Sequence, residues 1–205
     1  MLVEQSINKN MPIVGVSEKR RQQLIQATIS SVDEFGLQHT TIHRISTLAG
    51  MSSGIISHYF GGKQGLIEAA MRDLQAALGQ ALRERLVPGM SPQARLMAVV
   101  EANFTPLQCS RAVARTWLAF WSQASHEPGL ARLQRINQRR LLSNLACSFG
   151  LCLTRQEALA AAQQSAAMID GFWLRSALSP SPEPDFSRAE RLCKLFIQQR
   201  LTPAE

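Results

Sequence analysis

The strongest constraint on the fold is the segment 41–60, in which two short helical patterns are separated by a glycine. Ile42 and Ile45 lie on one face of the first pattern and are expected to point into a core. Gly50 follows, and a glycine can adopt a positive φ without steric cost. Ser52 stands where the second helix needs an N-cap. Two short helices joined in this way predict a helix-turn-helix, whose second helix suits the major groove of DNA.

The remainder of the chain also has helical periodicity, and no sustained period-two stretch indicates a β-strand. Apolar residues make up 45% of the chain, which is enough to bury a core. We therefore predict an all-α fold: three short helices are followed by about six longer ones. The predicted helices cover about 17–35, 42–49, 52–60, 63–86, 92–104, 111–124, 128–149, 154–178 and 187–201. Thr154 and Glu157 have the spacing of a capping box.

The open face of the helix-turn-helix carries the candidate DNA-binding residues. Serine hydroxyls, His58 and Tyr59 can contact bases or phosphates, and Ile55 suits a thymine methyl group. Thr41 and Lys63 would contact the DNA backbone on either side of the groove. The alternative is a simple three-helix packing in which His58 and Tyr59 are half-buried core residues. The complete candidate set is Thr41, Arg44, Ser52, Ser53, Gly54, Ile55, Ser57, His58, Tyr59 and Lys63.

This region resembles the DNA-binding region of the tetracycline-repressor (TetR) family of bacterial transcriptional regulators. The similarity covers residues 27–66 and runs through Thr41-Ile42, Ala49-Gly50, Ser52-x-Gly54-x-Ile56, His58-Tyr59-Phe60, Lys63 and Leu66. Many family members have a tyrosine at the position of Ser57. The resemblance implies a transcriptional regulator that binds double-stranded, palindromic operator DNA as a homodimer, with Tyr59 and Lys63 on phosphates.

Two tryptophan-containing segments in the rear half are candidates for binding a small-molecule effector. Trp117 and Trp121 are four residues apart, and Asp170 and Trp173 are three apart, so each pair shares a helix face. Converging faces would form a box of indole rings and a carboxylate. Such a box suits a quaternary ammonium ion, which is attracted to each aromatic face by about 0.5–2 kcal/mol. The candidate effector-binding residues are Trp117, Phe120, Trp121, Asp170 and Trp173.

The alternative for these residues is structural: the aromatic side chains pack in the core, and Asp170 pairs with Arg175 or caps a helix. However, the segments 54–60, 117–121, 139–145 and 169–175 resemble the choline-responsive group within the TetR family. That resemblance implies a repressor of genes that convert choline to glycine betaine, with choline as its effector. Carnitine, a betaine, a polyamine, and the cationic or apolar effector of another metabolic or efflux operon are the alternatives.

We expect three parts in the chain. Residues 1–16 form a flexible extension, 17–62 a helix-turn-helix DNA-binding domain, and 63–205 a helical bundle for effector binding and dimerisation. Helix 63–86 connects the last two parts. The last two long helices are expected to pair with their copies in a homodimer, although packing within one monomer is the alternative. Their candidate interface residues are Ala160, Ala161, Ala162, Ala166, Ala167, Leu192, Leu195, Phe196 and Leu201.

Several functional classes are excluded by missing motifs. There is no GxSxG, HExxH, Walker loop or GxGxxG, so we expect neither an enzyme nor a bound cofactor. The four cysteines form no CxxC pair, and no metal site is expected. RNA-binding signatures are absent, which favours duplex DNA. No apolar run reaches the ~18–20 residues of a membrane span, and no signal peptide is evident. We expect a cytoplasmic protein without membrane contact.

The net charge of the chain agrees with a polyanionic partner but does not show which surface of the protein binds that partner. The formal net charge is +7, yet residues 1–65 contribute only +2, from six basic and four acidic residues. The helix-turn-helix prediction therefore depends on its motif and not on the charge.

Overall fold

The described residues of the computed structural model, 14–181 and 184–201, form nine α-helices and no β-strand, which confirms the all-α prediction. The helices are α1 (Val14–His39), α2 (Ile42–Ala49), α3 (Gly54–Phe60), α4 (Lys63–Arg85), α5 (Pro92–Asn103), α6 (Arg111–Ala124), α7 (Pro128–Phe149), α8 (Arg155–Ala177) and α9 (Phe186–Leu201). Within these ranges, none of the helices combines the length and apolar character that a membrane crossing requires.

Helix α1 differs from the predicted 17–35 at both ends. It begins at Val14, so Ser17 lies inside the helix and is not its N-cap. Of the predicted flexible extension, residues 14–16 are helical, and residues 1–13 lie outside the described part of the chain. At the other end the helical chain continues past Gly36, where a φ of 74° and a ψ of 161° produce a kink.

A buried threonine holds the connection between α1 and α2. The Thr40 hydroxyl donates to the Gly36 carbonyl oxygen at 2.8 Å and accepts from the Ser31 hydroxyl at 3.2 Å. The next residue, Thr41, caps α2, because its hydroxyl accepts from the Arg44 N–H at 3.2 Å. The Thr40 bonds satisfy polar groups that would otherwise be buried without partners. Together with the Thr41 cap, they fix the start of α2 relative to α1.

Helix α3 begins two residues later than predicted. Gly50 ends α2 with a φ of 64° and a ψ of 34°, as expected for the turn. The third helix then starts at Gly54, with Ser53 and not Ser52 at the N-cap position. The side chain of Ser53 makes no capping hydrogen bond, because it is engaged elsewhere, as described below.

One continuous hydrophobic core joins the front and rear helices. Helix α2 packs on α1, and α3 packs on α4. Each of the two short helices contributes one fully buried isoleucine, Ile45 and Ile56, and burying such a side chain stabilises the fold by roughly 1.5–3 kcal/mol. Helix α1 also packs on α6, and α4 also packs on α5 and α7. Helices α1 and α4 thus connect the helix-turn-helix to the rear bundle.

Helix α8 begins at the predicted capping box. The Thr154 hydroxyl accepts from the Glu157 N–H at 3.4 Å, and the Glu157 carboxylate accepts from the Thr154 N–H at 3.1 Å. The hydrogen bonds from Thr154 hold the pKa of Glu157 below its usual value. Helix α8 packs between α7 and α9. This packing turns Ile169 and Trp173 of α8 into the protein interior.

Candidate functional site

The surface around α3 carries the candidate DNA-binding residues. Ile55, Tyr59 and Lys63 are half-buried, and Ile55 and Tyr59 pack against the edge of the core. The exposed members of the set are Thr41, Arg44, Ser52, Ser53, Gly54, Ser57 and His58. Of the two residues in the alternative core interpretation, only Tyr59 fits it, since His58 is exposed. The polar side of α3 is therefore open to a partner.

Ser53 has a structural contact that the sequence pattern does not reveal. Its hydroxyl lies 2.9 Å from the hydroxyl of Ser46, a buried residue of α2. The Ser46 hydroxyl also donates to the carbonyl oxygen of His43 at 2.9 Å, so Ser53 donates the proton between the two serines and Ser46 accepts it. This bond ties the start of α3 to α2.

Arg44 and Lys63 converge on the C-terminal end of α1. The Arg44 guanidinium donates to the His39 carbonyl oxygen at 2.6 Å, and its central carbon lies 4.4 Å from the centre of the Phe35 ring. The Lys63 ammonium donates to the Leu37 carbonyl oxygen at 3.5 Å. Each cation has further N–H groups, so both can also donate to a phosphate.

Arg21 belongs to this surface although the sequence did not single it out. Its guanidinium donates to the Tyr59 carbonyl oxygen at 2.9 Å and lies 4.7 Å from the centre of the Phe60 ring. The contact holds the C-terminal end of α3 against α1. A basic residue 38 positions before its partner gives no local signal, which is why the sequence analysis missed it.

Gly65 allows the close approach of α4 to α3. A Cβ atom at this position would overlap the carbonyl oxygen of Phe60, the last residue of α3. Backbone atoms cannot move aside as the end of a flexible side chain can, so a glycine is required here. The orientation of α3 on the protein surface therefore depends on Gly65, a residue outside the candidate set.

A cavity in the rear bundle brings together the two predicted tryptophan segments. Its unfilled space is about 340 Å³. The Trp121 ring lies between the other two indoles, 6.1 Å from the Trp117 ring and 5.4 Å from the Trp173 ring. The lining residues are Leu78, Asn103, Gln108, Trp117, Trp121, Asn137, Ile169, Asp170 and Trp173. All three tryptophans of the chain thus line one cavity.

Phe120 does not belong to this cavity. It is fully buried, and its ring packs edge-on against Trp117 at 5.7 Å. One residue before Trp121, it points to a different side of α6. Of the five candidate effector-binding residues, Phe120 is thus the one that the structure places behind Trp117 and not in the cavity lining.

The indole N–H groups of the cavity differ in their partners. The Trp117 N–H donates to the side-chain oxygen of Gln108 at 2.9 Å, and the Gln108 amide donates to the Leu74 carbonyl oxygen at 3.4 Å. Trp117 is thus held at a fixed angle. The Trp121 N–H is buried and has no hydrogen-bond partner within the described residues. Gln108 was missed from the sequence because it precedes α6 and follows no periodic pattern.

Asp170 supplies a negative charge beside the indole rings. Burial raises the pKa of its carboxyl group from 3.8 to about 6, because the charged form is poorly solvated there. The predicted alternative, an ion pair with Arg175, is not formed, and Arg175 is exposed. A carboxylate at the edge of aromatic faces attracts a cation by both charge and ring quadrupoles.

The cavity is narrow in this conformation. Only about 30 Å³ of it can hold the centre of a water molecule, which corresponds to about two waters. A trimethylammonium group is bulkier than two waters, so it would have to push side chains apart. The side chains around this space include Leu78 of α4 and the two tryptophans of α6.

Helices α4 and α6 both connect the cavity to the helix-turn-helix. Helix α4 carries Leu78 in the cavity and Gly65 next to α3. Helix α6 is linked to α1 by Arg111 and Arg115, whose guanidinium groups each lie 3.2 Å from the Asp33 carboxylate. Two helices thus join the lining of the cavity to the elements that hold α2 and α3.

No other chemistry is indicated in the described part of the chain. It contains no group of histidine, cysteine and acidic residues that could hold a metal ion. The four cysteines are free thiols. Burial is the main cause that raises the pKa of Cys109 and of Cys193 to about 12, so these two thiols are not reactive thiolates at neutral pH.

Comparison with known families gives two matches that divide the chain. Residues 24–70 match the model of the bacterial regulatory proteins of the tetR family. Residues 92–202 match the model of the C-terminal region of BetI-type transcriptional repressors. The first match contains α2 and α3, and the second contains α6 and α8, which supply the tryptophans of the cavity.

Curated relatives match the chain over nearly its whole length. The chain is 49% identical over 192 residues to the HTH-type transcriptional regulator BetI 1 of Chromohalobacter salexigens, which covers 93% of this chain and 95% of the relative. It is 50% identical over 193 residues to the HTH-type transcriptional regulator BetI of Proteus mirabilis, which covers 93% of this chain and 96% of the relative.

Solved structures show the same fold at low sequence identity. A TetR transcription regulator from Haloarcula marismortui has a TM-score of 0.80 at 18% identity, and covers 90% of this chain and 100% of its own. A transcriptional regulator from Saccharomonospora viridis in complex with choline has a TM-score of 0.78 at 20% identity, and covers 91% and 100%.

Proposed function

Because the chain belongs to the TetR family of bacterial transcriptional regulators and has the C-terminal region of a BetI-type repressor, we propose that it controls genes for the conversion of choline to glycine betaine. In this proposal a dimer binds a palindromic operator in the cytoplasm. Choline or a related quaternary ammonium compound binds the rear cavity and modulates the operator affinity. As a regulator of this family, the protein is not an enzyme.

The DNA-binding part of the proposal is supported by the open polar side of α3. His58 and Ser57 are exposed on this short helix, and Lys63 begins the next helix close by. Arg21 and Gly65 fix the orientation of α3 on the protein. A rigidly held helix with free polar side chains can present the same contacts to each half of an operator.

We expect Tyr59→Phe and Lys63→Ala to weaken operator binding by about 10- to 100-fold each, because each removes one hydrogen bond to a charged phosphate. Lys63→Ala should also make the logarithm of the affinity less dependent on the logarithm of salt concentration, by about one unit of slope for each phosphate that is no longer neutralised. Gel-shift titration at several salt concentrations, on a fragment selected from genomic DNA by the purified protein, measures both effects.

Arg135→Ala is the matched control, since it removes one exposed positive charge from α7, outside both the helix-turn-helix and the proposed dimer helices. It should leave the operator affinity within about twofold of the wild type, as expected for a surface charge outside the DNA-binding surface. Equal losses in Lys63→Ala and Arg135→Ala would place Lys63 outside the interface.

The observation that carries the effector assignment is the convergence of Trp117, Trp121 and Trp173 with the Asp170 carboxylate around one cavity. This set offers what a quaternary ammonium ion can use, namely aromatic faces and a negative charge. The quaternary nitrogen has no N–H to donate, so it needs no hydrogen-bond acceptor in the cavity. The choline complex of the Saccharomonospora viridis regulator, which has the same fold, adds support for choline.

Titration with choline, monitored by tryptophan fluorescence and by calorimetry, tests this assignment directly. All three tryptophans line the cavity, so a ligand there should change the emission. Spermidine and carnitine are titrated in parallel. Saturable binding of choline with a shift in operator affinity supports the proposal. If millimolar choline gives no response and another compound binds saturably, the regulator would be assigned to that effector and to a different operon.

Choline binding should weaken at acidic pH. The cation favours the ionised carboxylate, and Asp170 in the free protein has a pKa of about 6, so protonation competes with choline below that pH. Affinity is expected to be constant above about pH 7 and about tenfold lower at pH 5, since about one carboxylate in eleven is then ionised. Calorimetry from pH 5 to 8 measures the choline affinity as a function of pH. An affinity that does not change with pH would show that Asp170 does not contribute to choline binding.

Dimerisation through α8 and α9 is supported by the exposed residues of these helices. Leu159 and Leu195 are 47% and 50% exposed, and Ala160 and Ala167 are exposed on α8. By contrast, Ala161 and Ala162 are buried within the chain itself. The exposed small and apolar side chains suit close packing against a second copy. Light scattering should give twice the chain mass of 22.7 kDa.

A further inference from the structure

A second and larger cavity adjoins the one that holds the tryptophans. It lies between α4, α5 and α7, and about 470 Å³ of it can hold the centre of a water molecule, compared with about 30 Å³ in the first. The two cavities share three lining residues, Leu78, Asn103 and Asn137. A molecule that reaches past these residues would occupy both cavities.

The two arginines of the second cavity lie about one turn beyond the shared residues on the same helices. Helix α4 supplies Arg83 after Leu78, and helix α7 supplies Arg140 after Asn137. One turn of an α-helix advances about 5.4 Å. A group bound by these arginines would therefore lie roughly one helical turn from the shared residues, which is the length of a short aliphatic chain.

The charge of the second cavity is opposite to that of the first. Its walls are partly apolar, but the ionisable residues among its lining are two arginines, Arg83 and Arg140, and none is acidic. Arg83 donates to the side-chain oxygen of Gln80 at 2.7 Å and keeps further N–H groups. A guanidinium forms its strongest hydrogen bonds with carboxylates and phosphates.

Resting on the proposed function, we propose that the second cavity is a subsite for the anionic end of zwitterionic quaternary ammonium compounds. The trimethylammonium group lies among the tryptophans beside Asp170. A carboxylate or phosphate about one helical turn away is bound by Arg140 and Arg83. Asn103 and Asn137, at the junction, lie beside the chain that joins the two charged groups. The effectors would then include zwitterions of suitable length as well as choline.

A homologous series of ligands separates the effect of chain length on affinity from the effect of the negative charge. Trimethylammonioacetate, trimethylammoniopropionate and trimethylammoniobutyrate place the carboxylate at increasing distances from the nitrogen. Butyltrimethylammonium has the length of the longest probe without its charge. For the wild type we expect trimethylammoniobutyrate to bind about tenfold more tightly than butyltrimethylammonium, as one charge-assisted hydrogen bond would produce. The acetate should show no such gain, because its carboxylate is too close to the nitrogen.

Arg140→Gln and Arg83→Gln should each reduce the advantage of trimethylammoniobutyrate, and the double variant should remove it. None of these variants should alter the affinity for butyltrimethylammonium or choline. Arg139→Gln is the matched control, because Arg139 is an exposed neighbour on α7 that lines neither cavity. It should leave every affinity unchanged.

The outcomes separate the two proposals. If choline binds but trimethylammoniobutyrate binds no more tightly than butyltrimethylammonium, the anionic subsite is excluded and the choline assignment stands. The same conclusion follows if trimethylammoniobutyrate keeps its advantage in the double arginine variant. If neither choline nor any member of the series binds, both proposals fail. An equal loss for charged and uncharged probes in Arg140→Gln would show that Arg140 only shapes the cavity, which also overturns the subsite.

Discussion

Replacing Asp170 with asparagine is expected to lower the affinity for choline by about 10- to 100-fold, while operator binding without effector stays unchanged. The substitution keeps the shape of the side chain and removes its negative charge. A charge a few ångströms from a bound cation contributes up to about 4 kcal/mol at the effective dielectric of a protein site, and partial solvation reduces this to about 1.4–2.8 kcal/mol. Among the described residues that line the cavity, there is no second carboxylate that could compensate.

Calorimetric titration of Asp170→Asn at pH 8 measures the loss. The substitution should not lower the stability of the folded protein, because burial raises the pKa of Asp170 and thus disfavours its charged form in the folded state. The melting temperature should therefore stay the same or rise. Glu34→Gln, which removes an exposed acidic charge from α1, controls for the change in net charge. If Asp170→Asn binds choline like the wild type, the aromatic rings alone make the site.

Replacing Gly65 with alanine is expected to lower operator affinity by about tenfold or more. The added Cβ would overlap the carbonyl oxygen of Phe60, so α4 and the end of α3 must move apart. Overpacking of this kind costs about 1–3 kcal/mol in a well-packed region, and each subunit of a dimer would be affected. A gel-shift titration without effector measures the loss of operator affinity.

Gly79→Ala controls for the new methyl group in the same helix. Its Cβ would meet only the flexible end of Arg83 at 3.4 Å, so the operator affinity should be unchanged and stability should rise by about 0.4–1 kcal/mol. Far-ultraviolet circular dichroism establishes that both variants remain helical. Normal operator affinity in a folded Gly65→Ala protein would show that the orientation of α3 does not depend on this contact.

Features that depend on neighbouring residues were predictable from the sequence. The Thr154–Glu157 capping box was expected at a helix start and was found there, because capping joins residues three positions apart. The spacing of Trp117 and Trp121 on one helix face follows from the helical repeat. The predicted start of α3 was wrong because Ser52 and Ser53 are equally suitable N-cap residues by type. The residue at the N-cap position is Ser53, and its hydroxyl bonds to Ser46 and not to the backbone of α3.

Features that join distant parts of the chain were not predictable. Nothing near Arg21 indicates that it holds the Tyr59 backbone, and nothing near Gln108 indicates that it orients an indole ring. Phe120 was assigned to the effector site from its position between two tryptophans. The structure places it in the core, because neighbouring residues of a helix point in directions about 100° apart.

By itself, the sequence determined an all-α chain with a helix-turn-helix near its front and two aromatic segments behind, since helix formation, capping and periodicity are local properties. Only the tertiary structure decided that both aromatic segments line one cavity with Asp170, that an arginine-lined space adjoins it, and that α3 is held by Arg21 and Gly65. Those arrangements depend on how helices far apart in the chain pack against each other, and the chemistry of a binding site depends on the distances that this packing sets.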